Sequence, residues 1–164
     1  VTSVGPTTPL AVGDVAPRVL LPDTHGQSVV VGGTSDRAGE RATLLVFVPF
    51  AFSRVCTTEL GELRDGLPGL EQSGVRVLAV SCDPVFALRA WAEQDGYGFA
   101  LLSDFWPHGA AARAFGVFDE TQGFARRGTF LVDAAGVVRW RVVNPGGQAR
   151  PVAAYRAAVA DLLA

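Results

Sequence analysis

Residues 45–60 read LVFVPFAFSRVCTTEL, and the order of three signals in this stretch decides the fold class. The run Leu44–Val48 is continuously apolar and β-favouring, as expected of a strand buried on both faces. Pro49 ends it. From Ser53 onward the chain reads as a helix over 54–70, with Ser53 as its cap and Leu60, Leu63, Leu67 and Leu70 at helical spacing. Cys56 therefore falls in the first turn of that helix, where unpaired backbone N–H groups and the positive end of the dipole favour a thiolate over a thiol.

Working outward, residues 1–10 are expected to form a flexible arm, and 11–164 a single domain. The turn signal PDTHGQ (22–27) precedes a strand over 28–31, and 32–40 reads as an exposed loop. Strands at 43–48 and 75–81 alternate with helices at 54–70 and 84–95. A loop through 101–109, a helix over 109–115, strands 128–133 and 137–143 about the turn Asp133–Gly136, and a closing helix near 151–163 complete the order. Alternation followed by a hairpin points to an α/β protein with a mixed central sheet and helices on both faces, the order of a thioredoxin-like fold.

Composition narrows the function. The formal net charge is −2 and all 14 basic residues are Arg without any cluster, which argues against a nucleic-acid partner. The opening VTSVGPTTPLAVGD has neither the positive start nor the apolar run of a secretory signal, and no stretch approaches the ~20 apolar residues of a membrane span, so a cytoplasmic location is expected. Two cysteines, Cys56 and Cys82, make no disulfide framework in a chain of 164 residues. His25 and His108 add too few ligands for a closed zinc site, and no metal or cofactor is expected.

The segment Pro49-Phe50-Ala51-Phe52-Ser53-Arg54-Val55-Cys56 has the form P-x-x-x-S-x-x-C, which resembles the active-site signature of the peroxiredoxins, thiol peroxidases on a thioredoxin-like fold. Arg127-Gly128-Thr129-Phe130 resembles the R-G-T-F strand that supplies the arginine of those sites, and SDFWPHG (103–109) with GVF (116–118) is similar to the one-cysteine AhpE branch. The resemblance spans about residues 11–163. It implies catalytic roles for Cys56, Ser53, Arg127 and Pro49, and a hydroperoxide or peroxynitrite substrate. It also implies a homodimer and reduction by a thiol, either mycothiol with a mycoredoxin-like protein or a thioredoxin-like protein.

The residues support those roles on chemical grounds. Lowering a thiol from about 8.5 to about 6 raises its thiolate fraction at pH 7 only about 30-fold, so a fast peroxidase must also stabilise the charge developing on the departing oxygen. A guanidinium such as that of Arg127 favours the thiolate and holds a peroxide oxygen. The hydroxyl of Ser53 can bond sulfur or peroxide, Pro49 would shield the site from water, and Glu59, one turn beyond Cys56, can orient an arginine. Arg126 competes with Arg127 for the role. Cys82 reads either as packing or as a resolving thiol at the same sheet edge, His108 as a loop residue, and Trp91 and Trp106 as core or interface aromatics. A thioredoxin-like disulfide reductase is weakened by the missing C-x-x-C, and a peroxide sensor would need the same activated thiol. Every version requires the Cys56 sulfur to lie within reach of Arg127 and of an incoming oxidant.

Overall fold

The computed structural model describes residues 8–145 and 147–164. A five-stranded mixed sheet with spatial order β5-β4-β3-β8-β9 forms its centre. It is built from β3 (Ala42–Phe47), β4 (Val75–Ser81), β5 (Ala100–Ser103), β8 (Arg127–Asp133) and β9 (Val138–Asn144), with β3, β4 and β5 parallel and β8 and β9 antiparallel to their neighbours. Two small hairpins, β1 (Val19–Pro22) with β2 (Ser28–Val31) and β6 (Phe118–Asp119) with β7 (Phe124–Ala125), flank it. The fold is that of a thioredoxin-like α/β sandwich.

The helices α1 (Arg54–Gln72) and α2 (Val85–Asp95) are the crossovers from β3 to β4 and from β4 to β5. Both crossovers step across the sheet in one direction, so their common right-handedness places both helices on one face. There Leu60, Leu63, Leu67, Leu88 and Trp91 pack with Leu44, Val46, Val77 and Leu131, and α4 (Val152–Leu163) adds Tyr155, Ala158 and Val159. The other face is thinner. The short α3 (Ala110–Ala114) and the β1–β2 hairpin cover Leu45, Phe47, Leu78, Val80 and Phe130.

Most expected elements stand within a residue or two of their places. Residues 101–103, read as loop, are instead strand β5, paired with β4 from Leu78↔Ala100 to Ser81↔Ser103. A four-residue edge strand of Ala, Leu, Leu and Ser carries neither alternation nor strong β-propensity, so its pairing with β4 decides it. The sequence reading likewise lacks hairpin strands β1, β6 and β7, which are only four, two and two residues long. Residues 1–7 of the expected arm lie outside the described residues. At the arm's end the Leu10 N–H donates to the Phe115 carbonyl at 3.2 Å, and the side chain packs on the core.

Register brings the two quoted segments together. β8 runs antiparallel to β3 with Val46 opposite Thr129, so continuing the pairing sets Arg127 beside Val48, where the chain leaves the sheet for α1. Alternation puts Arg127, Thr129 and Leu131 on one face of β8. Leu131 packs in the cluster that holds α1, so Arg127 is aimed at the same helix.

Candidate active site

Ser53 is the N-cap of α1, with φ −66° and ψ 144°, and its Oγ accepts the Cys56 N–H at 3.3 Å. Pro49, buried, follows the last β3 pairing, and the turn from 49 to 53 reverses the chain from strand into helix. Phe52 in that turn has φ 63°, a left-handed backbone that costs about 1–2 kcal/mol for a residue bearing a Cβ. Cys56, Glu59 and Leu60 then share the inward face of α1.

Four ionic or polar groups meet beneath this turn. Arg127 Nη2 lies 3.3 Å from Cys56 Sγ, and Arg127 Nη1 donates to Glu59 Oε2 at 2.5 Å. Glu59 also accepts from Arg150 three times, from the backbone N at 2.6 Å, Nε at 3.1 Å and Nη2 at 2.9 Å. Arg150 Nη1 donates in turn to the carbonyls of Phe47 (2.8 Å) and Gly128 (2.9 Å) and to Thr129 Oγ1 (3.0 Å). Thr129 bonds the Tyr155 hydroxyl at 2.9 Å. Glu59, Arg127 and Arg150 are 4%, 2% and 2% exposed, so the arrangement is a desolvated cation–anion–cation array abutting the sulfur.

Burial pushes the Glu59 carboxyl upward, but the hydrogen bonds and charge of Arg150, with the charge of Arg127, overcome it and hold it below the usual glutamate range. One anion between two guanidiniums leaves local positive charge next to Cys56. Such a site favours an incoming oxygen on which negative charge builds. Of the two conditions that the sequence set for this sulfur, the structure meets reach of Arg127, at 3.3 Å, and not open access for an oxidant, because Cys56 is 0% exposed.

Arg126, the competing candidate, is directed elsewhere, donating to the Gly116 carbonyl at 2.8 Å. Arg150 was not foreseen: it sits in the Pro-Gly-rich connection NPGGQARP before α4, and only its long-range partners give it meaning. His108 is occupied by the Gly123 carbonyl at 2.7 Å and by the edge of the Phe118 ring. Trp91 is core, bonded through Nε1 to Thr57 Oγ1 at 3.3 Å, whereas Trp106 is 82% exposed.

Cys82 and Cys56 are both free thiols. Burial, then the charges of Asp104 and Asp83, push the Cys82 thiol up to about 12. Neighbouring Asp104 caps α3, accepting the N–H groups of Ala111 and Ala112 at 2.9 Å each. Burial pushes its carboxyl up to about 6, although those bonds and the charges of His108 and Arg113 pull the other way. The folded state thus holds this proton where the unfolded chain has released it, and stability contributed by Asp104 rises as pH falls from about 6 towards 4. The wild type should therefore gain on Asp104→Asn in thermal stability between pH 7 and pH 5, by about 1.3 kcal/mol. Parallel pH profiles for the two proteins would contradict this.

The AhpC/TSA family profile matches residues 12–141. This chain is a peroxiredoxin of the AhpC/TSA family. It is 43% identical to alkyl hydroperoxide reductase E of Mycobacterium tuberculosis over 155 residues, covering 94% of this peroxiredoxin and 99% of that relative. Among solved structures, a peroxiredoxin-like protein from Aquifex aeolicus superimposes with a TM-score of 0.84 at 27% identity, covering 97% of this chain and 90% of the other. AhpC of Enterococcus faecalis does so with a TM-score of 0.80 at 26% identity, covering 92% and 90%. This peroxiredoxin is accordingly a thiol peroxidase. Among its described residues no helix is long and apolar enough to cross a membrane.

Proposed function

We propose that Cys56 is the attacking sulfur and that Arg127, Ser53 and Pro49 are its partners in a one-cysteine cycle of the AhpE type. The observation that carries this reading is the 3.3 Å separation of Cys56 Sγ and Arg127 Nη2 at the start of α1. The thiolate attacks the terminal oxygen of a hydroperoxide, the S–O bond forms as the O–O bond breaks, and the departing alkoxide or hydroxide takes a proton to leave as alcohol or water. Cys56 becomes a sulfenic acid. Arg127 holds the oxygens on which charge develops, Ser53 orients sulfur and peroxide through its hydroxyl while its Oγ caps the helix, and Pro49 keeps water from the product.

Two electrons from external thiol return the sulfenic acid to thiol with release of water. The reductant is a small thiol such as mycothiol with a mycoredoxin-like protein, or a thioredoxin-like protein, in a cytoplasmic setting. The exposed Phe105 and Trp106, 50% and 82% exposed, suit the face of a homodimer. Cys82 stays outside the cycle, because a thiol held near 12 supplies almost no thiolate to resolve a sulfenic acid.

Mass spectrometry of the intact chain after one equivalent of peroxide tests the cycle. A dimedone adduct on Cys56 is expected. Loss of two mass units with a Cys56–Cys82 link would replace the one-cysteine cycle with a two-cysteine one. Continued peroxide consumption under excess thiol separates turnover from sensing, since a sensor oxidises once and stalls.

A further inference from the structure

We propose that Asp83 is a positioning residue for the active-site turn, acting through the backbone of Ala51. This rests on the reading of Cys56 as the attacking sulfur and deepens it. Asp83 is two residues beyond the end of β4, and its Oδ2 accepts the Ala51 N–H at 2.8 Å, across 32 residues of sequence. Ala51 lies midway between Pro49 and Ser53.

The carboxyl group is itself held. Ser81 Oγ donates to the same Oδ2 at 2.5 Å and accepts the Asp83 N–H at 3.1 Å. Ser103 Oγ, from the end of β5, donates to the Asp83 carbonyl at 2.6 Å. Ser81 and Ser103 are buried and directly paired in the parallel register of β4 and β5, so the acceptor is anchored to the rigid sheet. What it grips is a strained turn. Phe52, next to Ala51, is in the left-handed region, so the turn stores strain that local structure does not favour.

Releasing the grip lets the turn relax, and two things change together. Ser53 loses the placement in which its Oγ accepts the Cys56 N–H, so peroxide is no longer met by a preorganised hydroxyl. The closed cover over Cys56 loosens, so a reagent needing only access gains. A residue that merely supported the fold would show this pattern only together with a lowered thermal midpoint, so the two rates are read at a wild-type midpoint.

The test measures sulfenic acid formation by stopped-flow and alkylation of the Cys56 peptide by iodoacetamide. Asp83→Ala should slow the peroxide reaction about tenfold, the worth of one well-made hydrogen bond, while alkylation of Cys56 becomes faster. Asp83→Asn keeps an acceptor oxygen and should stay within about threefold of wild type in both. The proposal is overturned if Asp83→Ala reacts with peroxide at the wild-type rate, if both rates fall together, or if Asn is as slow as Ala. Should Asp83→Ala not fold, Ser81→Ala, which removes the group orienting the carboxyl, is read by the same two rates and the same criteria. A wild type that forms no sulfenic acid at Cys56 would instead sink the underlying assignment.

Discussion

Cys56→Ser is expected to consume no peroxide above the rate of thiol in buffer, a loss of at least about a thousandfold. The reason is electronic as well as kinetic. Sulfur accepts the peroxide oxygen by giving up two electrons and later recovers them from thiol, whereas a serine oxygen has no such oxidation state to enter. The folded structure should survive the change, because Ser is slightly smaller and Arg127 retains Glu59 as a partner. Cys82→Ser is the matched comparison and should keep its turnover, since at pH 7 a thiol held near 12 is ionised only about once in 10⁵ molecules. Peroxide consumption followed with excess dithiothreitol checks both. A Cys56→Ser protein that still turns over, or a Cys82→Ser protein that does not, would reassign the reacting sulfur.

The route to that assignment shows which parts of the molecule a sequence discloses. Apolar runs of strand length broken by helical leucine spacing placed β3, α1, β4 and α2, because each is long enough for its period to show. The turn Asp133–Gly136 disclosed the β8–β9 hairpin. β5 and the small hairpins escaped because two to four residues carry no period, and neighbouring backbone rather than side-chain pattern fixes them. In the site, the segments of Cys56 and Arg127 were legible as motifs, and antiparallel register explains why they meet. Glu59 was legible from its place one turn beyond Cys56. Arg150 was not, since its partners Glu59, Phe47 and Gly128 stand 91, 103 and 22 residues away. The burial of the sulfur was equally hidden, because it depends on tertiary packing rather than on the motif around Cys56.

Glu59 is where stability and chemistry part company. It is the anion between two guanidiniums, and Glu59→Gln removes the negative charge while leaving Arg127 and Arg150 buried at 2% exposure each. Uncompensated buried charge of this kind costs about 3–5 kcal/mol, which for a chain of this size lowers the thermal midpoint by roughly 10 °C or more. Arg127→Ala leaves Glu59 paired with Arg150, whose guanidinium keeps its bonds to Phe47, Gly128 and Thr129. Its loss should fall mainly on the rate of peroxide attack, about a hundredfold for one donor to developing charge. The two variants are therefore expected to reverse rank between a thermal scan and a peroxide assay. The Glu59 contribution also carries a pH signature: a carboxyl held below its unfolded value supplies stability that is complete above about pH 4.5 and disappears as pH falls through the folded value. Wild type should thus lose its advantage over Glu59→Gln only below about pH 4.5. Equal thermal midpoints for the two proteins at pH 7 would mean that the array is not held by its central anion, and the positive field assigned to the sulfur would need another source.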